Sequence, residues 1–184
     1  MNNIYIYKDT FISLLNLIDF LIQNNITPHN IKDNNYNTTL FDNLINLDIK
    51  NDENILEKID ELILKYIYDV FISNNENKEL IIYYFYKNHL KYGLRVLNMY
   101  NLKCVLETRK ISKYVKNETH KYKGYIRFKE LNNKSLYAEI EPVNNILFLI
   151  SNHFKIRLKN EYWIIKDNKH NLISIYDEEK FLYI

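Results

Sequence analysis

The sequence contains a single cysteine, Cys104. One thiol excludes an internal disulfide and suits a reducing compartment. It also excludes a zinc site or an iron–sulfur cluster built from cysteines of this chain alone. No apolar run reaches the roughly 18 residues of a membrane span, and the first residues lack the basic-then-apolar form of a signal peptide. We therefore expect a cytoplasmic protein with no cofactor, no metal and no membrane partner.

Glycine and proline are also scarce, with two residues of each. Two glycines cannot build a phosphate-binding glycine loop, and the sequence has neither a nucleophile elbow nor closely spaced metal ligands. The scarcity is typical of an AT-rich bacterial or phage genome, which also enriches asparagine, isoleucine, lysine and tyrosine. Most recognised classes of enzyme are therefore unsupported, and the abundance of lysine alone does not indicate a function.

Charge is distributed unevenly along the chain, although the formal net charge is only +2. Residues 1–100 carry a net charge of −4, and residues 101–184 carry +6. Residues 103–129 alone contain nine bases and two acids. Such a local concentration of positive charge favours an anionic partner, of which nucleic acid is the first candidate. The alternative is a solvated helix face that binds nothing.

Hydrophobic residues make up 47% of the chain, which is enough for a packed core. Apolar spacing predicts helices over residues 10–24, 52–70, 80–92, 102–121 and 143–158. Strands are predicted over residues 4–7, 38–49, 123–130, 135–141, 162–166 and 172–176, and a loop over residues 25–37.

The expected fold class is α+β, in a single domain of residues 1–184. Residues 1–100 form a helical, acidic half in this prediction. That half packs on a basic helix–ββ–helix–ββ unit, residues 101–184, whose hairpins join one antiparallel sheet.

Glu118 lies at the helical spacing of the apolar residues in the fourth predicted helix. A carboxylate in that position is costly unless it is paired. One interpretation is structural: Glu118 either forms a salt bridge with Arg127 or Arg157 that holds the helix against the sheet, or accepts hydrogen bonds from the backbone. The other is catalytic, with Glu118 and His120 as a general acid–base pair.

Basic and aromatic residues alternate over residues 121–128. On a strand, one face would present bases beside an aromatic ring, which suits phosphates and exposed nucleobases. The alternative is an ordinary amphipathic strand. Together with the preceding helix, this segment provides the candidate DNA-binding residues Lys113, Lys116, Lys121, Lys123, Tyr125 and Arg127.

Residues 118–128 have the pattern E-x-H-K-x-K-G-Y-x-R-F. This pattern resembles the E-x-H-R-M-x-G-F-x-R-F signature of a bacterial family of unknown function that is associated with DNA metabolism and repair. Residues 137–142 resemble the family's following strand, which ends in I-E-P. Residues 145–157 resemble its next helix, V-L-P-L-L-x-x-H-F-x-x-R, and residues 163–167 resemble its W-x-I-x-D strand. The opening, residues 5–11, is similar to the family's Y-D-G-S/T-F, although it lacks the glycine.

The resemblance implies a DNA context. Family members are often encoded beside a radical-SAM protein of DNA modification or repair, and some are fused to a uracil-DNA-glycosylase-like domain that these residues do not include. The motif positions are Glu118, His120, Gly124, Arg127, Glu141, His153, Arg157 and Trp163.

Three functions are compatible with these observations. The first is an accessory protein of DNA metabolism or repair that binds DNA and works with a separate radical-SAM enzyme. The second is an enzyme that acts on DNA or nucleotides through Glu118 and His120. The third is a protein-binding adaptor that makes no nucleic-acid contact. The sequence leaves open whether the protein is an enzyme.

Overall fold

The structure is a computed structural model that describes residues 2–39, 41–132, 134–177 and 180–183. The chain forms two compact units. The N-terminal unit comprises Met1–Phe71 and Asn75–Ser112, and the C-terminal unit comprises Ile72–Asn74 and Lys113–Ile184. The expectation that residues 1–184 form one domain stays a prediction.

The N-terminal unit contains the parallel strands β1 (Asn2–Tyr7), β2 (Asn30–Asp33) and β3 (Asp42–Asn46). Their order in the sheet is β2-β1-β3. β1 is the central strand, and the adjacent residues Ile4 and Tyr5 are both buried, as expected of a strand covered on both faces. The loop predicted over residues 25–37 is wrong at β2. Ile31 is the only apolar residue of β2, so the sequence shows no apolar–polar alternation there. The strand forms because these residues pair with β1.

The helices of the N-terminal unit include α1 (Phe11–Gln23), α2 (Glu61–Phe71) and α3 (Lys78–Tyr92). Thr10 caps α1 by accepting a hydrogen bond from Ser13 N. Asp52 caps a 3₁₀ helix, Glu53–Lys58, and not the long helix predicted from that residue. α3 ends at Gly93, whose φ of +58° is accessible to glycine without steric cost.

The next helix, α4 (Lys103–Tyr125), belongs to the C-terminal unit from Lys113 onwards. The rest of that unit consists of β4 (Lys129–Glu130), β5 (Leu136–Ile140), α5 (Leu147–Arg157), β6 (Tyr162–Asp167), β7 (Leu172–Asp177) and β8 (Phe181–Tyr183). The strands form one sheet in the order β4-β5-β6-β7-β8. Helices and sheets are therefore mixed, which confirms the α+β fold class. None of the helices in the described ranges is long and apolar enough to cross a membrane.

The sheet of the C-terminal unit is mixed and not wholly antiparallel. β5 and β6 are parallel, whereas the other neighbouring pairs are antiparallel. The predicted antiparallel arrangement is wrong for this pair because α5 connects the two strands, and parallel neighbours require such a crossover. The second predicted hairpin is confirmed, since β6 and β7 pair from Tyr162↔Asp177 to Asp167↔Leu172.

Helix α4 continues beyond its predicted end at residue 121 and takes up the first three residues of the strand predicted over residues 123–130. Gly124 lies inside this helix and does not have a positive φ, so it does not interrupt the helix. The pairing of the first hairpin is confirmed in a short ladder, with Lys129 opposite Tyr137 and Glu130 opposite Leu136. The tight turn predicted at residues 132 and 133 includes Asn133, which lies outside the described residues.

A buried acid in α3 predicts a pH dependence of stability. Glu79 is 2% exposed and accepts a hydrogen bond from Tyr7 Oη at 3.4 Å, and Lys32 Nζ lies 3.7 Å from its other oxygen. Burial raises the pKa of Glu79 above its ordinary value of 4.5, against the opposing charges of Lys32 and Lys78. The folded state thus holds this proton more tightly than the unfolded state.

The free energy of unfolding is therefore expected to fall as the pH rises from the ordinary glutamate pKa through the raised one. Glu79→Gln should remove this part of the decline while keeping an acceptor for Tyr7. Denaturant unfolding between acid and neutral pH measures the two slopes. The control is Glu61→Gln, because Glu61 is exposed and pairs with Lys65 at 2.7 Å. Identical slopes for Glu79→Gln and the wild type would contradict the prediction.

Candidate functional site

The carboxylate of Glu118 holds the loop that follows β5. One oxygen accepts a hydrogen bond from Val143 N at 2.6 Å. The other accepts from Asn144 N at 3.1 Å and from Asn144 Nδ2 at 2.5 Å. We call Glu118, Val143 and Asn144 the carboxylate latch. Because charge-assisted hydrogen bonds are stronger than neutral ones, the latch fixes the loop between β5 and α5 against α4.

The latch is extended by further hydrogen bonds of the same loop. The side chain of Asn144 is buried, and its Oδ1 accepts from Asn74 N at 3.0 Å. Asn145 N donates to Ile72 O at 2.9 Å. The loop is thus held on one side by Glu118 and on the other by the short segment Ile72–Asn74. Asn144 was not among the residues singled out from the sequence, because an asparagine in an asparagine-rich chain carries no distinguishing signal.

The predicted ion pair of Glu118 with Arg127 or Arg157 is wrong: the described residues show no such contact. Arg127 instead donates to Gly124 O at 2.9 Å and to Ile126 O at 3.2 Å. The last carbonyls of a helix lack intrahelical partners, and a cation there is favoured by the helix dipole. Arg127 therefore caps α4, and the loop donors occupy Glu118.

The predicted acid–base partners do not meet in the structure. His120 is exposed on α4, two residues beyond Glu118. Residues at that spacing do not face each other on a helix. The catalytic role of Glu118 and His120 stays a hypothesis, and the geometry does not bring the two side chains together.

The second half of α4 presents bases on its exposed side. Lys113, Lys116 and Lys121 are exposed, whereas Val115 and Thr119 on the opposite side are buried. We call Lys113, Lys116 and Lys121 the basic face. Lys121 and the half-buried Lys123 lie on this helix and not on the strand to which the sequence assigned their alternation, so the predicted strand face of bases is wrong. The bases are nevertheless brought to one surface by helical spacing.

Tyr125 is the last residue of α4 and is 73% exposed. It lies four residues after Lys121, which makes the two side chains neighbours on the helix surface. An exposed ring beside a base is the arrangement that stacks on an unpaired nucleobase while the base contacts the phosphate.

The cations Lys123 and Arg157 lie near His153, where the end of α4 approaches α5. Burial lowers the pKa of His153, and the positive charges of Lys123 and Arg157 lower it further. The segment after α4 is packed on α5 by an edge-to-face contact of Phe128 with Phe154, with ring centroids 5.0 Å apart. Two family-motif positions, His153 and Arg157, therefore lie near the C-terminal end of the basic helix.

The other motif positions divide between core and surface. Trp163 is 0% exposed and stacks on Tyr176, with ring centroids 5.3 Å apart. Glu141 is exposed and precedes the latch residues, and Gly124 is exposed on α4. The pKa of Tyr122 is raised by burial and by the charge of Glu118, so its phenol lies on the latch side of α4.

One motif residue, Asp167, has a role that the sequence did not reveal. It is fully buried at the end of β6, and its Oδ1 accepts from Lys169 N at 3.0 Å and from His170 N at 3.1 Å. His170 Nδ1 lies 2.7 Å from Asp167 Oδ2. Asp167 thus shapes the β6–β7 turn, and the signal for it is an aspartate placed where a strand ends.

Comparison with known proteins shows which family the chain belongs to. The model of the family described as Domain of unknown function (DUF4130) matches residues 57–182, which is more than half of the chain. The chain belongs to this family, which confirms the expected family of unknown function. The match leaves β1, α1, β2 and β3 outside it. Neither the curated proteins nor the solved structures gave a significant match.

Proposed function

We propose that the protein binds DNA through the basic face of α4 and acts as an accessory in DNA metabolism or repair. The observation that carries the proposal is the charge of residues 113–129, which contain six bases and one acid. That acid is Glu118, whose oxygens are committed to the latch. These donors are uncharged, so Glu118 keeps its negative charge and the segment has a net charge of +5, which favours a polyanion.

The contacts divide into two kinds in this proposal. Lys113, Lys116 and Lys121 neutralise phosphates without reading sequence. Tyr125 stacks on an unpaired base, which adds affinity for single strands. Lys123, His153 and Arg157 receive a further phosphate beyond the end of the helix, where a nearby anion stabilises the protonated imidazole.

The enzymatic partner in this proposal is a separate protein of the radical-SAM class, as the family resemblance implies. A chain with one cysteine cannot ligate an iron–sulfur cluster by itself. The protein therefore contributes DNA binding and positioning, and the chemistry resides in its partner. Its own residues, chiefly the latch, keep α4 and the loop before α5 in a fixed arrangement on which the partner and the DNA assemble.

Charge reversal on the basic face tests the proposal. The double variant Lys113→Glu, Lys121→Glu is expected to weaken DNA binding on the order of tenfold or more, because two lysines that attract phosphates become acids that repel them. Both side chains are exposed, so the fold should be retained. Fluorescence anisotropy with labelled single- and double-stranded oligonucleotides at a series of salt concentrations gives the affinity and the salt slope. The slope should become shallower by roughly 0.7–0.9 for each phosphate that the variant no longer neutralises.

The matched control is Lys50→Glu, Lys159→Glu, which makes the same change in net charge at two exposed lysines outside α4. It should bind DNA almost as the wild type does. If both double variants lose affinity equally, the interaction is non-specific attraction and the basic face is not the interface. If the wild type binds neither form of DNA at low salt, the proposal fails and the adaptor function is favoured.

A further inference from the structure

The parallel sheet of the N-terminal unit has a topological switch point at its centre. From β1 the chain passes through α1 to β2 on one side, whereas β3 pairs with the other side of β1. The strand order therefore reverses between β1 and β3. In open α/β sheets, the crevice outside the carboxyl ends of such strands is where ligands bind. This sheet lies outside the family match, so the family's motif positions do not describe it.

A crevice of about 340 Å³ occupies this position. It is bounded by residues at the carboxyl ends of β1 and β3 and by the first turns of α1. Its apolar lining includes Leu17, Leu47 and Ile49. Asn16 Nδ2 donates to Asp52 O at 3.1 Å and so attaches the chain beyond β3 to α1. The volume lies at the lower end of the range of about 300–1,000 Å³ that is typical of ligand pockets.

The crevice has a buried donor that the protein does not use. Ser13 lines it and is 8% exposed. Its Oγ accepts from Lys8 N at 3.0 Å, but within the described residues the hydroxyl proton is donated to no acceptor. A buried hydroxyl normally has a partner for its proton. A ligand acceptor in the crevice would supply that partner.

The polar lining is balanced in charge. Lys8 and Asp48 carry opposite charges, and Asn46 and Asn51 each present an amide donor and an amide acceptor. Such a lining suits an uncharged ring with several donors and acceptors better than a multiply charged phosphate. The apolar residues provide the walls for the faces of the ring.

We propose that this crevice is a binding site for a nucleoside, with the ring between the apolar walls and its polar edge on Ser13, Asn46 and Asn51. The site is independent of the basic face of α4 and of the DNA binding proposed for it. An acid at Asp48 can accept from the hydroxyls of a ribose, as acids at the carboxyl ends of strands do in dinucleotide-binding sheets.

Thermal unfolding of the full chain with adenosine, guanosine, cytidine or uridine, each added alone, tests the site. At least one nucleoside is expected to raise the melting temperature, on the order of 5 °C at a concentration about a hundred times its dissociation constant. Inorganic phosphate, as the comparison probe, should give no shift. No shift with any nucleoside, or an equal shift with phosphate, would overturn the proposal.

Variants locate the binding. Asn46→Ala removes an exposed amide at the end of β3 and should weaken nucleoside binding about tenfold. Ser13→Ala should weaken nucleoside binding by a similar factor. If Ser13→Ala does not fold, the affinity of Asn46→Ala alone tests the site. The control is Asn43→Ala, on the same strand, where the side chain bonds Asn3 Oδ1 at 2.9 Å. If Asn46→Ala binds as tightly as Asn43→Ala, the nucleoside does not occupy this crevice.

Discussion

Replacing Trp163 with alanine is expected to lower the free energy of unfolding by about 3–5 kcal/mol. Trp163 is 0% exposed, so the change leaves a cavity in the C-terminal unit. It also removes the stacking partner of Tyr176, whose hydroxyl donates to Lys159 O at 3.1 Å. Trp163 lies on β6 and Tyr176 on β7, which are neighbours in the sheet. The substitution is therefore expected to destabilise the second hairpin.

Two further variants separate packing from the indole N–H. Trp163→Phe should cost less than Trp163→Ala, because an aromatic ring is kept and the buried Nε1, which has no hydrogen-bond partner in the described residues, is removed. Tyr162→Ala is the matched control on the adjacent position of β6, where the side chain is 54% exposed. Denaturant unfolding followed by circular dichroism is required, since the only tryptophan is altered. If Trp163→Ala costs no more than Tyr162→Ala, the core described for this unit is wrong.

Removing the carboxylate of Glu118 is expected to lower the free energy of unfolding by about 2–4 kcal/mol. Glu118→Ala leaves Asn144 N and Asn144 Nδ2 without an acceptor in a buried position, whereas Val143 is exposed and its N–H can bond to water. Glu118→Gln should lower the free energy of unfolding by somewhat less, because one oxygen remains as an acceptor. A cost remains because the new amide N–H group faces the N–H donors of the loop. Denaturant unfolding measures both variants.

The matched control is Glu107→Ala on the same helix. Glu107 pairs with Lys103 at 3.7 Å on the surface, and such pairs contribute about 0–1 kcal/mol. DNA binding of folded Glu118→Gln, measured at a temperature where both proteins are native, should be at least as tight as that of the wild type, because the variant keeps the exposed lysines and loses one negative charge from α4. A variant that keeps full stability but loses an activity would contradict the latch and restore the catalytic hypothesis for Glu118.

The elements that the sequence predicted well are those marked by local periodicity. The stripe of α1 behind its Thr10 cap, and the alternation of residues 162–166 and 172–176, depend on neighbours close in sequence. The positive charge of residues 113–129 was also visible, because charge needs no fold to be counted. Hydrophobic spacing thus predicted the α+β class, and the distribution of charge predicted the location of the basic segment.

The arrangement of the candidate site could not be read in the same way. Glu118 was recognised as a carboxylate on an apolar stripe, but its partners, Val143 and Asn144, lie some 25 residues further along the chain. Arginines were the expected partners because cations are the usual neighbours of a buried acid, and backbone donors were the alternative without a named residue. In the structure the donors are backbone N–H groups and a side-chain amide. Such groups occur in every sequence, so no sequence pattern identifies them as the partners of Glu118.

By itself, therefore, the sequence determined the class of fold, the helices and strands with strong periodicity, the family of unknown function and the surplus of bases near α4. Tertiary structure alone decided that α4 runs through Gly124 to Tyr125, that β2 is a strand and that β5 and β6 are parallel. The two strand pairings depend on residues distant in sequence. Their free energy is therefore absent from the local preferences that a sequence pattern reports.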